Sequence, residues 1–161
     1  MDGKRYTLPA LRERVAALRS SGGRLVLTNG CFDLLHVGHV RYLQAARALG
    51  DFLAVGLNSD ASVRTLKGAG RPLVPQDERA EVLAALGCVD AVVVFDEPTA
   101  ETLVAALRPE VYVKGSDYSV ATLPEAGVVE GYGGTVRLVP VLPGVSTTAL
   151  VARIRGDGRP D

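Results

Sequence analysis

Short runs of apolar, largely β-branched residues alternate along this chain with stretches of helical periodicity, and no other feature restricts the fold as strongly. Residues 24–28 (RLVLT), 52–57 (FLAVGL), 90–95 (DAVVVF), 111–115 (VYVKG) and 136–141 (VRLVPV) read as strands. Leu8, Leu11, Val15 and Leu18 recur at helical spacing and predict a helix over about 8–20, capped by Thr7 and stopped by Gly22-Gly23. Further helices are predicted from Val37 to Leu49 before Gly50, Asp77 to Leu86 before Gly87, Thr99 to Leu107 before Pro109, and Ser146 to Arg155. Strands that are apolar throughout belong in a sheet covered on both faces, and the β-α-β-α order calls for parallel pairing. The expected fold is therefore α/β: a Rossmann-like, doubly wound three-layer sandwich with a mainly parallel five-stranded sheet. One domain is expected over 1–161, with its core at about 24–155 and a short C-terminal tail. Such folds bind ligands beyond the carboxyl ends of the strands, at the topological switch point. That rule selects the loops after Thr28, Leu57, Val113 and Val141.

Composition narrows the function. Lys and Arg together number 18, as do Asp and Glu, so the formal net charge is zero. A general nucleic-acid binder needs an excess of cations to neutralise phosphates, and this chain has none. Arg12, Glu13 and Arg14 interrupt the N-terminal apolar residues, so no signal peptide is expected, and no apolar run is long enough for a bilayer span. Cys31 and Cys88 form no CxxC pair, which leaves no zinc ribbon or redox motif. A cytoplasmic protein without membrane or nucleic-acid partners is expected.

The segment TNGCFDLLHVGH, residues 28–39, follows the first strand and contains both histidines of the chain. His36 and His39 share one face of a helical first turn, with Gly38 between them. A helical glycine costs roughly 1 kcal/mol relative to alanine, and close approach of a ligand to the backbone would explain it. Free N–H groups and dipole potential at a helix start suit phosphate, and two imidazoles there can donate to the oxygens of a reacting phosphate. The competing readings are two ordinary helix histidines with a packing glycine, or a zinc pair. No further His, Cys or Glu cluster supplies ligands for zinc, so no metal site is assigned to protein side chains.

TNGCFDLLHVGH resembles the HxGH signature of the nucleotidylyltransferase superfamily. The segments LNSDASVRTLKGAGRPLVPQDERAEVLAALGCVD, VKGSDY and GVSTT follow in the order and spacing of one branch, the D-glycero-β-D-manno-heptose 1-phosphate adenylyltransferases. The resemblance extends from about Leu25 to Ile154. It implies that His36 and His39 bind the triphosphate and stabilise the transition state, and that Lys67, in a flexible TLKGAGR stretch, closes over phosphates as a mobile cation. It implies nucleotide-binding roles for Asn29, Gly30, Cys31, Phe32, Gly38, Arg79, Lys114, Gly115, Asp117, Ser146, Thr147 and Thr148, and a substrate-binding role for Asp33. Plainer readings stand beside several of these. Lys67 can be a solvated loop lysine, and Arg79 can pair with Asp77, Glu78 or Glu81 on its own helix. Asp117 can be turn chemistry, and Ser146 a plain N-cap.

The implied reaction is transfer of AMP from ATP, with Mg2+, to a sugar 1-phosphate. The acceptor's phosphate oxygen attacks the α-phosphorus in line and pyrophosphate leaves, with no protein nucleophile. A homo-oligomer and a separate upstream sugar kinase are also implied. A cytidylyltransferase for glycerol 3-phosphate is the alternative, although Leu142-Pro143-Gly144-Val145-Ser146 lacks the arginine those relatives carry there. A nucleotide-binding module without turnover is the non-enzymatic alternative.

Overall fold

The computed structural model describes residues 3–156. Five strands, β1 (Leu25–Gly30), β2 (Phe52–Asn58), β3 (Ala91–Phe95), β4 (Val111–Gly115) and β5 (Thr135–Val139), form one sheet in the order β3-β2-β1-β4-β5. All pairings are parallel. Seven helices accompany them: α1 (Leu8–Ser20), α2 (Val37–Arg47), α3 (Asp60–Lys67), α4 (Gln76–Ala84), α5 (Glu101–Leu107), α6 (Pro124–Gly131) and α7 (Thr147–Arg155). The α/β, Rossmann-like expectation is met, and the sheet is parallel throughout. The proposed C-terminal tail beyond residue 156 lies outside the described residues.

The two-residue period of the strands builds two cores. Leu25, Leu27, Phe52 and Ala54 face one side and pack with Leu11, Val15 and Leu18 of α1, Leu103, Val104 and Leu107 of α5, and Val129 of α6. Val26, Leu53, Val55 and Leu57 face the other side, against Leu43 and Ala46 of α2 and Ala80, Leu83 and Ala84 of α4. Each such leucine is shielded from water, and full burial of a side chain of this size is worth roughly 1.5–3 kcal/mol. The strand β5 departs from the expectation of a doubly covered sheet: Leu138 is 37% exposed, and Thr135 and Arg137 are exposed with it. The opposite edge is covered, because the Tyr6 N–H donates to the Val92 carbonyl and the Val92 N–H to that of Lys4.

Two helices and a 3-10 turn were not legible in the sequence. Residues 60–67, of which only the last three belong to the stretch expected to be flexible, form α3, capped by the Ser59 side chain, which accepts from the Ser62 N–H. The segment after β4 carries a 3-10 turn at Val120–Thr122 and then α6, which opens on Pro124.

Where the strand order reverses, β1 and β4 separate. They pair only at Val26 with Val111 and Leu27 with Tyr112, although β1 continues to Gly30 and β4 to Gly115. Side chains replace the missing ladder. The Thr28 hydroxyl donates to the Val113 carbonyl at 2.9 Å and lies 2.7 Å from the Tyr42 hydroxyl. Tyr42 also reaches that carbonyl, at 3.1 Å. The opening left beyond them is the switch point of the fold.

Candidate active site

A cavity of about 660 Å³ occupies this opening. Its lining includes Asn29, Gly30, Cys31, Phe32 and Asp33 from the end of β1, and His36, Gly38 and His39 from the start of α2. Lys67, Lys114, Gly115, Asp117, Ser146, Thr147 and Thr148 line it as well. Every residue selected from the sequence therefore meets at one place, except Arg79.

His36 and His39 close the start of α2 on each other. His36 is the N-cap, in extended backbone conformation, and its Nδ1 accepts from the His39 N–H at 3.4 Å. In return the His39 Nδ1 accepts from the His36 N–H at 3.4 Å. The rings stack with centroids 3.8 Å apart and planes 19° from parallel. An Nδ1 that accepts carries no proton, so each neutral ring carries its proton on Nε2. Burial lowers the His36 pKa. Burial, with His36 and then Lys67 adding to it, lowers that of His39 to about 4. Near neutral pH the pair is uncharged and presents two Nε2–H donors.

For Gly38 the geometry supports the packing reading. A Cβ built there would lie 2.9 Å from both Cε1 and Nδ1 of His36 and 3.4 Å from Cγ1 of Val145. The glycine makes room for the capping ring itself. Gly30 does the same for Phe32, whose ring would stand 2.9 Å from a Cβ at position 30. Phe32 turns the chain with φ +45°, and its ring meets His39 at 5.1 Å between centroids.

Cations converge from two directions, and a helix start from a third. Lys67 is the last residue of α3, an exposed helix end instead of a flexible loop, with Gly68 at φ +96° beyond it. The Lys114 Nζ reaches the Asn29 carbonyl at 3.4 Å and lies 4.8 Å from the centre of the Tyr118 ring. Burial lowers the Lys114 pKa, opposed chiefly by Glu125. Ser146 caps α7, accepting from the Ala149 N–H at 3.0 Å, so the plain N-cap reading is correct; the same helix start lines the cavity. Burial raises the pKa of the Cys31 thiol.

Two expectations change in content. Arg79 is 2% exposed and does not line the cavity. It pairs with none of the acids on its own helix either. Its guanidinium donates to the carbonyls of Val74, Cys31 and Asn58 and to the Asp60 carboxylate, bracing the ends of β1 and β2. Asp33 does line the cavity, but its carboxylate accepts from the Leu73 and Val74 N–H groups and from Arg71 at 2.8 Å. Although burial opposes it, these bonds hold the Asp33 pKa below its ordinary value. Asp33 thus anchors the loop between α3 and α4.

The sequence reading missed Tyr42, Arg71 and Glu125, which also line the cavity. Glu125 is 4% exposed on the first turn of α6, and its Oε1 accepts from the Ala100 N–H at 2.9 Å. Leu123-Pro124-Glu125, a proline followed by an acid, is the helix-start signal that would have revealed it. Among the described residues no helix is long and apolar enough to cross a membrane.

A family profile described as cytidylyltransferase-like matches residues 27–152. Proteins named bifunctional protein HldE are similar: that of Geotalea uraniireducens is 58% identical over 154 residues, and that of Geobacter sulfurreducens 56% over 153. The HldE of Streptomyces coelicolor is 59% identical over 138 residues. These matches cover 96%, 95% and 86% of this chain but 31%, 31% and 30% of the relatives, so the chain spans under a third of their length. A crystal structure of the lipopolysaccharide core biosynthesis protein from Thermoplasma volcanium matches with TM-score 0.61 and 28% identity, over 75% of this chain and 98% of that one. The profile match runs from inside β1, through the histidine-capped start of α2, to α7, and these are the elements that surround the cavity. The chain belongs to the cytidylyltransferase-like family.

Proposed function

We propose that this chain transfers AMP from ATP to D-glycero-β-D-manno-heptose 1-phosphate, releasing pyrophosphate, as its resemblance to the heptose 1-phosphate adenylyltransferases implies. The observation that carries the reading is 58% identity with an HldE protein over 96% of the chain. The cavity chemistry agrees with it, since uncharged donors and lysines meet beside a helix start where a triphosphate would bind.

In this reading an oxygen of the acceptor's 1-phosphate forms a bond to the α-phosphorus as the bond to the β-phosphate oxygen breaks. No side chain becomes covalently attached, and the contribution of the protein is position and charge. His36 and His39 donate from Nε2 to the phosphate oxygens that gain charge in the transition state. As neutral donors they require no proton transfer. Lys67 approaches the phosphates from the end of α3, and Lys114 from β4. Gly30, Cys31 and Phe32 offer backbone, and Ser146, Thr147 and Thr148 offer hydroxyls and the N–H groups of α7. Asp117 has no ion-pair partner within 4 Å among the described residues, and it fits a magnesium ion arriving on the nucleotide, held by phosphates and one or two carboxylates. That ion would neutralise charge on the leaving pyrophosphate. Asp33 acts on the acceptor through the Arg71 loop that it anchors. The reading includes a cytoplasmic, homo-oligomeric enzyme.

Pyrophosphate release, measured with each of the four nucleoside triphosphates against heptose 1-phosphate, other sugar 1-phosphates and glycerol 3-phosphate, tests the proposal. Release with ATP and heptose 1-phosphate is expected. Preference for CTP and glycerol 3-phosphate, or nucleotide binding without release, would overturn it.

A further inference from the structure

We infer that Glu125 reads the hydroxyl groups of the sugar acceptor. The inference rests on the adenylyl-transfer reading above and adds a specificity residue to it. Glu125 is 4% exposed, lines the cavity, and uses Oε1 to hold the Ala100 N–H. The neighbouring Tyr112 hydroxyl gives its proton to Asn29 Oδ1. That hydroxyl also meets the Glu125 carboxylate, so Ala100 and Tyr112 hold the residue from the protein side while it faces the cavity on the other. Glu125 also has no cation within ion-pair distance among the described residues.

A carboxylate in such a position needs donors. Phosphate is excluded as its ligand, because two anions repel more strongly as water is removed. Pro98, Thr99, Leu123 and Pro124, which line the cavity with it, carry no charge, and Lys114 attracts it from beyond ion-pair distance. Neutral O–H donors remain, and O–H to carboxylate bonds are among the stronger hydrogen bonds. The reaction brings two polyols together, a ribose and an acceptor sugar, and the cavity has two carboxylates without a cation partner. Asp117 lies against Gly115 and Val141, on the side of the α7 start, which the proposal gives to the nucleotide. Glu125 lies with the loop before α5, against Ala100, which leaves it for the acceptor.

The test compares wild type with Glu125→Gln, whose amide oxygen can still accept from the Ala100 N–H. A rise of about 10- to 100-fold in KM for heptose 1-phosphate is expected, the usual range for losing hydrogen bonds to a charged group. KM for ATP should change less than about twofold, and the melting temperature little. Monodeoxy analogues of the acceptor give a second reading on the wild-type enzyme alone. At least one should show a comparable rise in KM, and Glu125→Gln should lose most of that discrimination. An unchanged acceptor KM in Glu125→Gln, an equal rise in KM for ATP, or no discrimination among the analogues would overturn the inference while wild-type turnover preserves the functional reading. A wild-type enzyme that releases no pyrophosphate from ATP and heptose 1-phosphate would remove both.

Discussion

Lowering the pH from 7 to 5 probes the electrostatic setting of the histidine pair. The His39 pKa lies at about 4 in the folded protein against an ordinary 6.5. Between those values the unfolded chain binds a proton on this ring and the folded chain does not. The stabilisation is therefore fully present above pH 6.5 and is lost progressively as pH falls toward 4. For a shift of this size, linkage gives a loss of about 2 kcal/mol between pH 7 and pH 5, and His36, shifted the same way, adds to it. Urea unfolding of wild type and His39→Asn at both pH values measures the effect. The asparagine oxygen can take the place of Nδ1 in the cap but does not titrate. The wild type should lose about 2 kcal/mol more than the variant over this interval. Because the chain has only two histidines, imidazole NMR reports on this pair without overlap. Both rings titrating near 6.5, with parallel acid losses in the two proteins, would refute the burial and stacking argument.

Gly38→Ala separates stability from turnover: a helical alanine gains roughly 1 kcal/mol over glycine, while its Cβ must displace the His36 ring. Thermal unfolding should change by only a few degrees, and kcat should fall by about 10²-fold, the scale for losing one aligned transition-state donor. Arg79→Met should cost about 3–5 kcal/mol, because three backbone carbonyls and Asp60 lose their partner, and calorimetry should show a drop near 10 °C. Nucleotide affinity of the folded Arg79 variant should stay within about tenfold of wild type; selective loss of affinity with normal stability would mean that Arg79 contacts phosphate. Asp33→Asn should release residues 68–75 by about 1–2 kcal/mol, read as roughly tenfold faster proteolysis within that loop. In the wild type the Asp33 anchor persists above its ordinary pKa of 3.8 and is lost as pH falls through its lower folded value, so acid should reproduce the loosening.

All five strands were legible, four of them because burial on both faces requires apolar residues at nearly every position, and that leaves a mark in sequence. Residues 60–67 and 124–131 leave none. The helix α3 buries only Ser62 and Val63, and α6 buries Glu125 among few apolar neighbours. Their helicity comes from Ser59 as a cap and Pro124 at the start, signals of one residue each. The site was legible where its chemistry is carried by short local stretches, in residues 28–39, 114–117 and 146–148, and at Lys67 beside its glycines. Arg79 was misread because its partners are Cys31 just after β1, Asn58 at the end of β2, Asp60 at the start of α3 and Val74 in the loop before α4, 5 to 48 residues away in sequence. Glu125 was missed because a single glutamate acquires meaning only when the fold buries it beside a cavity.

The geometry at the start of α2 joins structure and chemistry in the same atoms. Each Nδ1 satisfies a backbone N–H that an ordinary serine or aspartate cap would satisfy with less bulk. A histidine in that role has one consequence the smaller caps lack: with Nδ1 committed, Nε2–H is fixed as a donor and pointed away from the helix. Protonating either ring would break the cap, so the helix itself opposes the charged state, in the same direction as burial. The helical glycine at position 38 follows from this choice, since the ring of His36 fills the space a side chain would need. Replacing both histidines by asparagine should then leave α2 capped and the protein folded while removing both Nε2–H donors. If that double variant kept near-wild-type turnover, the cap would be the whole purpose of the pair, and the stabilising charge would have to come from Lys67 and Lys114 alone.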